Sequence, residues 1–283
     1  MLGRITRIIS NLYTVEAEGK SFDCRARGKF RNDKLIPLVG DYVEINDENY
    51  ILDIKERKNS LNRPMVANID DALIVTSLKR PELSTYLLDK MIVNVSSINI
   101  NPILVFTKYD LLTGEEKSNY DSIMDYYKSV GYDVILNTEI DKLDELIDGK
   151  VVVLTGQTGV GKSTLLNKLL PEVNQETNDI SDALGRGKHT TRHVELFKYK
   201  NSFIVDTPGF SALDINEEDV NNIRFYFKEF DNNSCKFNDC KHINETGCKI
   251  KEDLENNKIL QSRYENYKRM VLGDENINFN NKS

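Results

Sequence analysis

The stretch that decides the fold is Gly156-Gln157-Thr158-Gly159-Val160-Gly161-Lys162-Ser163. Its glycines let backbone N–H groups turn inward around phosphate oxygens, and an apolar run at residues 151–154 predicts a strand before it. A helical pattern follows at residues 163–170, so the positive end of a helix dipole also faces the loop. We expect Lys162 to contact the β- and γ-phosphates of a nucleoside triphosphate and Ser163 to bind Mg²⁺. A glycine-rich turn formed by chance is the alternative, but it does not explain the flanking strand and helix.

A four-residue motif upstream of this loop is a candidate for reading the base: Thr107-Lys108-Tyr109-Asp110. It follows an apolar run at residues 103–106 that predicts a buried strand. A carboxylate at the end of a strand accepts hydrogen bonds from both N1–H and the 2-amino group of guanine, whereas adenine has neither donor there, so Asp110 favours GTP over ATP. We expect the stem of Lys108 to lie along the base. The alternative is a turn at the end of the strand in which Asp110 caps the next helix.

The base-reading motif departs from ordinary GTPases in its first residue and in its place along the chain. Thr107 stands where Asn is common, and a hydroxyl cannot supply the donor and acceptor of an amide together. The motif also precedes the phosphate loop, whereas in ordinary GTPases it lies near the end of the chain. This order indicates a circularly permuted nucleotide domain. Asn137 and Thr138 follow a predicted strand at residues 134–136, and we expect them to form the second base-contacting loop.

Two segments after the phosphate loop are candidates for the switches that respond to the γ-phosphate. Asp206-Thr207-Pro208-Gly209 follows a predicted strand at residues 203–205. We expect Asp206 to hold Mg²⁺ through water and the N–H of Gly209 to sense the γ-phosphate. Residues 186–192 read Arg-Gly-Lys-His-Thr-Thr-Arg and end a polar stretch without a clear period. One of Thr190 and Thr191 is expected to close over Mg²⁺, and the sequence does not choose between them.

The residue after Gly209 bears on the rate of hydrolysis. Many GTPases carry a Gln there that orients the attacking water, but this chain has Phe210, whose ring offers no hydrogen bond. We therefore expect slow intrinsic hydrolysis unless His189 or a group from a partner supplies the contact. A solvated loop histidine is the alternative role for His189.

Three of the four cysteines and one histidine form a candidate metal site. The pattern Cys-x4-Cys-x-His-x5-Cys comprises Cys235, Cys240, His242 and Cys248. Three thiolates and one imidazole make a closed tetrahedral set for one structural Zn²⁺, with no position left for a substrate. Free thiols on a surface loop are the alternative, which is disfavoured because unpaired Cys is usually buried. Cys24 lies apart from this cluster and is predicted to be a core residue of a barrel.

The pattern of apolar residues predicts an α/β chain with three domains. Short alternating segments within residues 1–63 predict five strands and a small β-barrel of the OB-fold type. From residue 64 to residue 214, buried strands alternate with helices, which predicts a mostly parallel sheet and the circularly permuted P-loop GTPase domain. Residues 215–283 are predicted to form a helical zinc-binding domain, with helical segments at 217–230 and 252–270 on either side of the cysteine cluster.

The composition is that of a globular protein with unevenly spread charge. The chain has 283 residues, and its net charge of −7 argues against a surface that coats nucleic acid throughout. Residues 20–34 are nonetheless rich in Lys and Arg, which predicts either a local contact with phosphates or a solvated strand face. No apolar run approaches the roughly 20 residues that span a bilayer, and the N-terminus lacks the apolar stretch of a secretory signal. These patterns predict a cytoplasmic protein, and nothing in them demands more than a monomer.

Taken together, these motifs resemble the circularly permuted GTPases of the ribosome small-subunit-dependent GTPase A family (RsgA). The resemblance covers nearly the whole chain, with Thr158 and the nucleotide-contacting candidate Thr164 standing where Ser is frequent; both keep a hydroxyl. It implies GTP hydrolysis stimulated by the 30S ribosomal subunit and a late role in the maturation of that subunit. It also implies that the barrel contacts 16S rRNA and that the zinc-bearing domain helps to dock on the subunit. It implies no membrane or DNA partner.

Three other functions are compatible with parts of the sequence. An ATPase or nucleotide kinase would use the same phosphate loop but would not select guanine. An RNA-binding scaffold with a vestigial nucleotide site is disfavoured by the intact Lys162, Ser163 and Asp206. A translation factor that acts in every elongation cycle would share the ribosomal partner but would not cause immature small subunits to accumulate when depleted.

Overall fold

A computed structural model describes residues 1–26, 36–62, 64–171, 194–205, 217–230 and 235–273. The switch candidates lie outside these ranges: His189, Thr190, Thr191, Asp206, Gly209 and Phe210. Most of the basic stretch at residues 20–34 also lies outside them. The chain divides into two compact units, one of Met1–Leu73, Asn99–Asn101 and Asn137–Ser211, the other of Ile74–Ile98, Pro102–Leu136 and Ala212–Ser283. The predicted domain boundaries at residues 63 and 214 remain predictions.

The first five strands form a closed barrel in the order β1-β2-β3-β5-β4. Their bounds are β1 (Leu2–Ile9), β2 (Leu12–Ala17), β3 (Lys20–Ala26), β4 (Tyr42–Ile45) and β5 (Tyr50–Ile54). Alternate side chains point inward, and Ile5, Val15, Cys24, Val43 and Ile51 are fully buried. The predicted strands and the core position of Cys24 are therefore confirmed, because the alternation of apolar and polar residues matches the two faces of each strand.

A short two-stranded ribbon follows the barrel and was not predicted from the sequence. It pairs β6 (Ser60–Asn62) with β7 (Met65–Ala67) in antiparallel register. Pro64 indicated only an end to the strand pattern. The proline lies in the connection between the two strands, where its missing N–H costs no ladder hydrogen bond.

A six-stranded sheet has the order β10-β9-β8-β11-β13-β12. Its strands are β8 (Asp71–Ser77), β9 (Asn101–Thr107), β10 (Asp133–Leu136), β11 (Val151–Thr155), β12 (Leu196–Tyr199) and β13 (Ser202–Val205). The pair β9–β10 and the pair β11–β13 are parallel, and the hairpin β12–β13 is antiparallel. All residues of β8 and β11 are buried, as expected for strands covered on both faces. The predicted α/β class is confirmed.

Six α-helices accompany these strands in the described residues. They are α1 (Thr85–Ser97), α2 (Gly114–Ser129), α3 (Ile140–Ile147), α4 (Lys162–Leu169), α5 (Lys249–Glu255) and α6 (Gln261–Leu272). Two 3-10 helices span Tyr109–Leu111 and Glu217–Tyr226. None of the helices in the described part of the chain is long and apolar enough to cross a bilayer.

Three of the predicted helical segments differ from the structure. The segment predicted at residues 217–230 is a 3-10 helix that spans Glu217–Tyr226. The single helix predicted at residues 252–270 is two helices, α5 and α6, and Asn257 between them has a left-handed φ of 57°. Buried Ile259 lies in the same break, so the connection is part of the core. The helical pattern of the sequence starts at residue 118, whereas α2 begins four residues earlier, because Thr113 and Glu116 form a reciprocal capping box at its start.

A buried arginine on α6 is the centre of a network that includes α1, α2 and the turn after the 3-10 helix Glu217–Tyr226. The Arg263 guanidinium donates to Asp89 of α1 and to both carboxylate oxygens of Glu229, at 2.6 and 2.9 Å from Oε1 and Oε2. Tyr127 Oη and Asn266 Nδ2 donate to the two oxygens of Asp89 at 2.6 and 2.7 Å. Arg263 is 1% exposed and Asp89 is fully buried. Each charge in this network has an opposite charge and further hydrogen bonds, as buried ions require.

Candidate functional site

The predicted phosphate loop connects β11 to α4. Gly156, Gly159 and Gly161 have φ values of 142°, 80° and 102°, and Gly161 is the N-cap of α4. A Cβ added to Gly159 would meet no atom within 4 Å, so its backbone conformation, and not crowding, favours glycine there. Val160 is buried, which anchors the middle of the loop. The predicted strand, loop and helix are confirmed, and backbone N–H groups at the start of a helix are suited to hold an anion.

The Lys162 side chain folds back over this loop. Its ammonium donates to the carbonyl oxygens of Gly156 and Gln157, each at 2.6 Å. Burial lowers the pKa of this ammonium. The lysine is therefore already at the loop, where a phosphate oxygen would be a stronger, charge-assisted partner than a carbonyl. Ser163 and Thr164 are exposed in the first turn of α4.

The predicted base-reading motif begins in the last residue of β9. Thr107 is buried and its hydroxyl donates to the carbonyl oxygen of Thr76 at 3.3 Å. Lys108 has a left-handed φ of 62°, and its ammonium donates to the carbonyl oxygen of Arg80. Asp110 follows in the 3-10 helix, exposed and with no hydrogen bond to another described residue. The hydroxyl of Thr107 thus contacts the sheet backbone, while Asp110 is accessible to a ligand.

Tyr109, the middle residue of the motif, is held by α2. Its hydroxyl donates to Asp121 Oδ2 at 3.2 Å, and the Lys117 ammonium lies 4.9 Å from the centre of its ring. Burial and the neighbouring Asp121 carboxylate raise the pKa of Tyr109. These contacts connect the motif to the helix.

The second base-loop candidates follow β10. Asn137 is partly buried and its carbonyl oxygen accepts a hydrogen bond from Lys168 Nζ of α4 at 3.5 Å. Thr138 is exposed. Asn137 therefore lies beside the helix that starts at the phosphate loop.

The four predicted metal ligands come together. The ligand atoms of Cys235, Cys240, His242 and Cys248 all lie within 4.8 Å of one another. The Nδ1 atom of His242 is 3.6 Å from Cys235 Sγ and 3.4 Å from Cys248 Sγ. A tetrahedral Zn²⁺ with Zn–S bonds of about 2.3 Å spaces its ligand atoms by about 3.7 Å. The donor set and its spacing fit one zinc ion.

The electrostatics of the cluster also fit a cation. Burial lowers the pKa of His242 to about 4, so its imidazole is neutral and able to ligate a metal at physiological pH. Burial raises the pKa of the Cys240 thiol to about 12. Thiolates in such a setting need a positive charge beside them, and a bound Zn²⁺ would supply it.

The loop that carries these ligands is braced by residues that the sequence analysis missed. The Glu245 carboxylate accepts backbone N–H bonds from Lys241, Ile243 and Asn244 at 2.9 to 3.0 Å. Burial alone would raise the pKa of Glu245, but these N–H groups hold it below its usual value. Tyr264 Oη of α6 donates to the carbonyl oxygen of His242 at 2.7 Å. The metal loop is therefore bound to α6, and no sequence pattern signals these contacts.

Comparisons with known proteins agree with this architecture. The family model for the RsgA GTPase matches residues 54–216, and the model for the RsgA N-terminal domain matches residues 2–51. A curated relative, the small ribosomal subunit biogenesis GTPase RsgA of Geobacillus sp. (strain WCH70), is 46% identical over 276 residues that cover 94% of each chain. The relative of the same name in Geobacillus kaustophilus (strain HTA426) is also 46% identical over 276 residues and 94% of each chain.

Two solved structures have the same fold over nearly their whole length. YloQ, described as a circularly permuted GTPase, has a TM-score of 0.84 and 34% identity, covering 98% of this chain and 95% of its own. YjeQ from Thermotoga maritima has a TM-score of 0.83 and 36% identity, covering 96% of this chain and 98% of its own. The order of motifs in this chain, with the base-reading motif before the phosphate loop, is the order expected of a permuted GTPase. This chain belongs to the RsgA GTPase family.

Proposed function

We propose that this protein hydrolyses GTP to GDP and phosphate when it binds the 30S ribosomal subunit, and that it acts late in the maturation of that subunit. The observation that carries the proposal is the phosphate loop, in which Lys162 already contacts the loop carbonyls, in a chain of the RsgA GTPase family. The curated relatives are named as GTPases of small ribosomal subunit biogenesis, which supports the choice of partner.

The nucleotide is proposed to contact residues on three loops. Residues 156–164 hold the phosphates, with Lys162 on the β- and γ-oxygens. Asp110 accepts from N1–H and the 2-amino group of guanine, Lys108 lies along the base, and Asn137 with Thr138 forms the second base loop. The accessible carboxylate of Asp110 supports this assignment.

Magnesium is proposed to bind with the nucleotide at the start of α4. The exposed Ser163 hydroxyl is suited to ligate it, with Asp206 acting through water and either Thr190 or Thr191 completing the site. The metal neutralises charge on the phosphates. Gly209 is proposed to sense the γ-phosphate through its N–H.

Hydrolysis is proposed to depend on a group that the subunit places or supplies. Phe210 cannot orient the attacking water, so the contact must come from His189 or from the partner. Slow turnover of the free protein and faster turnover on the subunit follow from this arrangement.

The remaining parts of the chain are proposed to serve docking. The barrel of residues 1–63 contacts 16S rRNA, the domain of residues 64–214 carries the GTPase site, and residues 215–283 hold a structural Zn²⁺ on Cys235, Cys240, His242 and Cys248. A protein with these partners acts in the cytoplasm, as a monomer, without membrane or DNA.

The deciding experiment measures GTP turnover by the purified protein with and without 30S subunits. We expect the subunit to raise the rate at least about tenfold, a conservative threshold beside the roughly 10³-fold or more that completing a GTPase site can supply. Lys162→Ala should abolish both rates, which excludes a contaminating enzyme. A thousandfold excess of ATP should not inhibit, since ATP leaves Asp110 unpaired. Equal rates with and without subunits would contradict the proposal, and inhibition by ATP would favour an ATPase.

A depletion experiment separates an assembly factor from a translation factor. We expect cells that lack this protein to accumulate free, immature small subunits. Normal subunit profiles with slowed elongation would contradict the assembly role.

A further inference from the structure

An ion pair close to the base-reading motif is not explained by the proposed contacts with nucleotide. Lys79 Nζ donates to both oxygens of Glu116, each at 2.8 Å. Oxygen Oε2 of the same carboxylate also accepts the backbone N–H of Thr113 at 2.7 Å. The Lys79 ammonium and this N–H lower the pKa of Glu116 to about 2, so the carboxylate is charged at physiological pH.

The pair holds one end of the loop that carries Asp110. Thr113 is the N-cap of α2, and Glu116 closes the capping box by bonding back to it. Asp110 lies three residues before this cap, in the 3-10 helix Tyr109–Leu111. The ion pair therefore fixes the point at which the loop after β9 enters α2.

Residues 77–80, which include Lys79, also hold the other end of the loop that carries Asp110. Lys79 is followed by Arg80, whose carbonyl oxygen accepts the Lys108 ammonium. The Leu78 N–H donates to the carbonyl oxygen of Thr107 at 3.1 Å, and Ser77 Oγ donates to the carbonyl oxygen of Lys79 at 2.7 Å. Residues 77–80 thus hold the segment with Asp110 both before and after that residue.

We propose that the Lys79–Glu116 pair is a positioning element that sets the direction of the Asp110 carboxylate and thereby the strictness of guanine selection. This inference rests on the proposed role of Asp110 as the base reader. A carboxylate that accepts two N–H bonds needs both of its oxygens in the plane of the base, and a small rotation loses one of them. The pair does not touch the nucleotide; it acts through the loop.

The test compares the affinities of the full-length, nucleotide-free protein for GDP and IDP by calorimetric titration. Inosine lacks the 2-amino group, so a well-placed carboxylate loses one hydrogen bond. We expect the wild type to bind GDP at least about tenfold more tightly than IDP, because the unpaired oxygen is costly. Lys79→Met should weaken GDP binding about fivefold and leave IDP binding nearly unchanged, so the ratio falls about fivefold.

Three further variants separate positioning from a general loss of structure. Glu116→Gln keeps an acceptor for the Thr113 N–H but removes the ion pair, so it should lower the ratio as Lys79→Met does. In Lys79→Arg the guanidinium can pair with both oxygens of Glu116, so this variant should keep the wild-type ratio of GDP affinity to IDP affinity. Lys128→Met removes an exposed ion pair with Asp125 on the same helix and should leave the ratio unchanged.

The outcomes distinguish a failure of the positioning role from a failure of the proposed guanine contact. An unchanged ratio in Lys79→Met and Glu116→Gln, or an equal loss of GDP and IDP affinity, overturns the positioning role while the wild-type preference for GDP stands. The proposed guanine contact itself is overturned if the wild type binds GDP and IDP equally and Asp110→Asn gains no affinity for XDP, whose 2-oxo group should accept from the amide.

Discussion

Gly40, just before β4, occupies a tightly restricted backbone position. Its φ is 92°, and a Cβ built on it would lie 2.0 Å from the carbonyl oxygen of Ala67 in β7. Its N–H donates to the carbonyl oxygen of Ile5 at 2.8 Å, and its own carbonyl oxygen accepts from Asn68 Nδ2 at 3.1 Å. No side chain fits at this crossing of three backbone segments, because the clashing atom is backbone and cannot swing aside.

We expect Gly40→Ala to lower the free energy of unfolding by about 3 kcal/mol, since it adds a backbone clash to an unfavourable φ. Gly19→Ala is the matched control, because Gly19 has a φ of 74° but no atom within 4 Å of its added Cβ. We expect Gly19→Ala to lower the free energy of unfolding by about 1 kcal/mol, from the unfavourable φ alone. Urea denaturation followed by circular dichroism measures both values. Equal losses for the two variants would show that the approach to Ala67 is not restrictive.

Arg263 is the second residue whose substitution should be severe. Arg263→Met leaves the buried carboxylates of Asp89 and Glu229 without their counter-charge, so we expect a loss of about 3–5 kcal/mol in unfolding free energy. Arg269→Met is the control: it lies on the same helix, with its guanidinium 3.8 Å from the centre of the Tyr86 ring, and should cost about 1 kcal/mol or less.

A triple variant tests the cause of that loss. Arg263→Met combined with Asp89→Asn and Glu229→Gln removes the stranded charges together with the arginine. It should be more stable than Arg263→Met alone if unpaired charge is the dominant cost. The same or lower stability would mean that the loss comes mainly from packing around the guanidinium, whose Cζ lies 4.3 Å from the centre of the Phe227 ring.

The metal loop is an element whose stability should depend on zinc. We expect about one Zn²⁺ per chain by elemental analysis, and loss of the metal in Cys240→Ser, because three ligands bind Zn²⁺ far more weakly than four. The variant should also unfold at a temperature lower by about 5 °C or more, a shift that corresponds to a few kcal/mol in a chain of this size. Cys24→Ala is the control: it should keep its zinc, because Cys24 belongs to the barrel core. Zinc content unchanged by Cys240→Ser would refute the site.

Elements with a local sequence signal were predictable, and those defined by distant contacts were not. The five barrel strands follow from alternation, and the phosphate loop follows from its glycines, because both signals lie within a few residues. The start of α2 was missed although Thr113 and Glu116 carry the capping-box spacing, because Gly114 reads as a turn. The pairing of Lys79 with Glu116 spans 37 positions, and sequence spacing carries no information about such a contact.

The metal site shows the same difference between features with a local sequence signal and features that depend on the folded chain. Its ligands were predicted because the residue types are rare and closely spaced. The contacts of Glu245 were not predicted, because acidic residues are common in loops. What distinguishes Glu245 is that three backbone N–H groups point at its carboxylate in the folded loop. Arg263 was missed for a different reason, since it lies 174 positions from Asp89 and would be expected at the surface from its charge.

The permuted order of motifs has a consequence for the whole molecule. In the sequence, the switch candidate at residues 206–209 is followed within ten residues by the helical segment that starts at Glu217, and then by the metal loop. In ordinary GTPases the corresponding switch is followed by the rest of the nucleotide domain. The chain therefore connects the proposed γ-phosphate sensor directly to the part that carries the candidate zinc ligands, so the bound nucleotide is expected to control docking.

We expect the protein to bind 30S subunits about 5- to 150-fold more tightly with a non-hydrolysable GTP analogue than with GDP, the usual range of coupling between two sites. Only a ligand that binds the two states with different affinity can shift their populations, so equal affinities with the two nucleotides would exclude this control. Linkage adds an independent check, because the subunit must then raise the affinity for the GTP analogue relative to GDP by the same factor. Cys240→Ser should reduce this factor towards one if the zinc-bearing part transmits the change, whereas Cys24→Ala should preserve it. A factor that survives loss of zinc would place the coupling elsewhere in the chain.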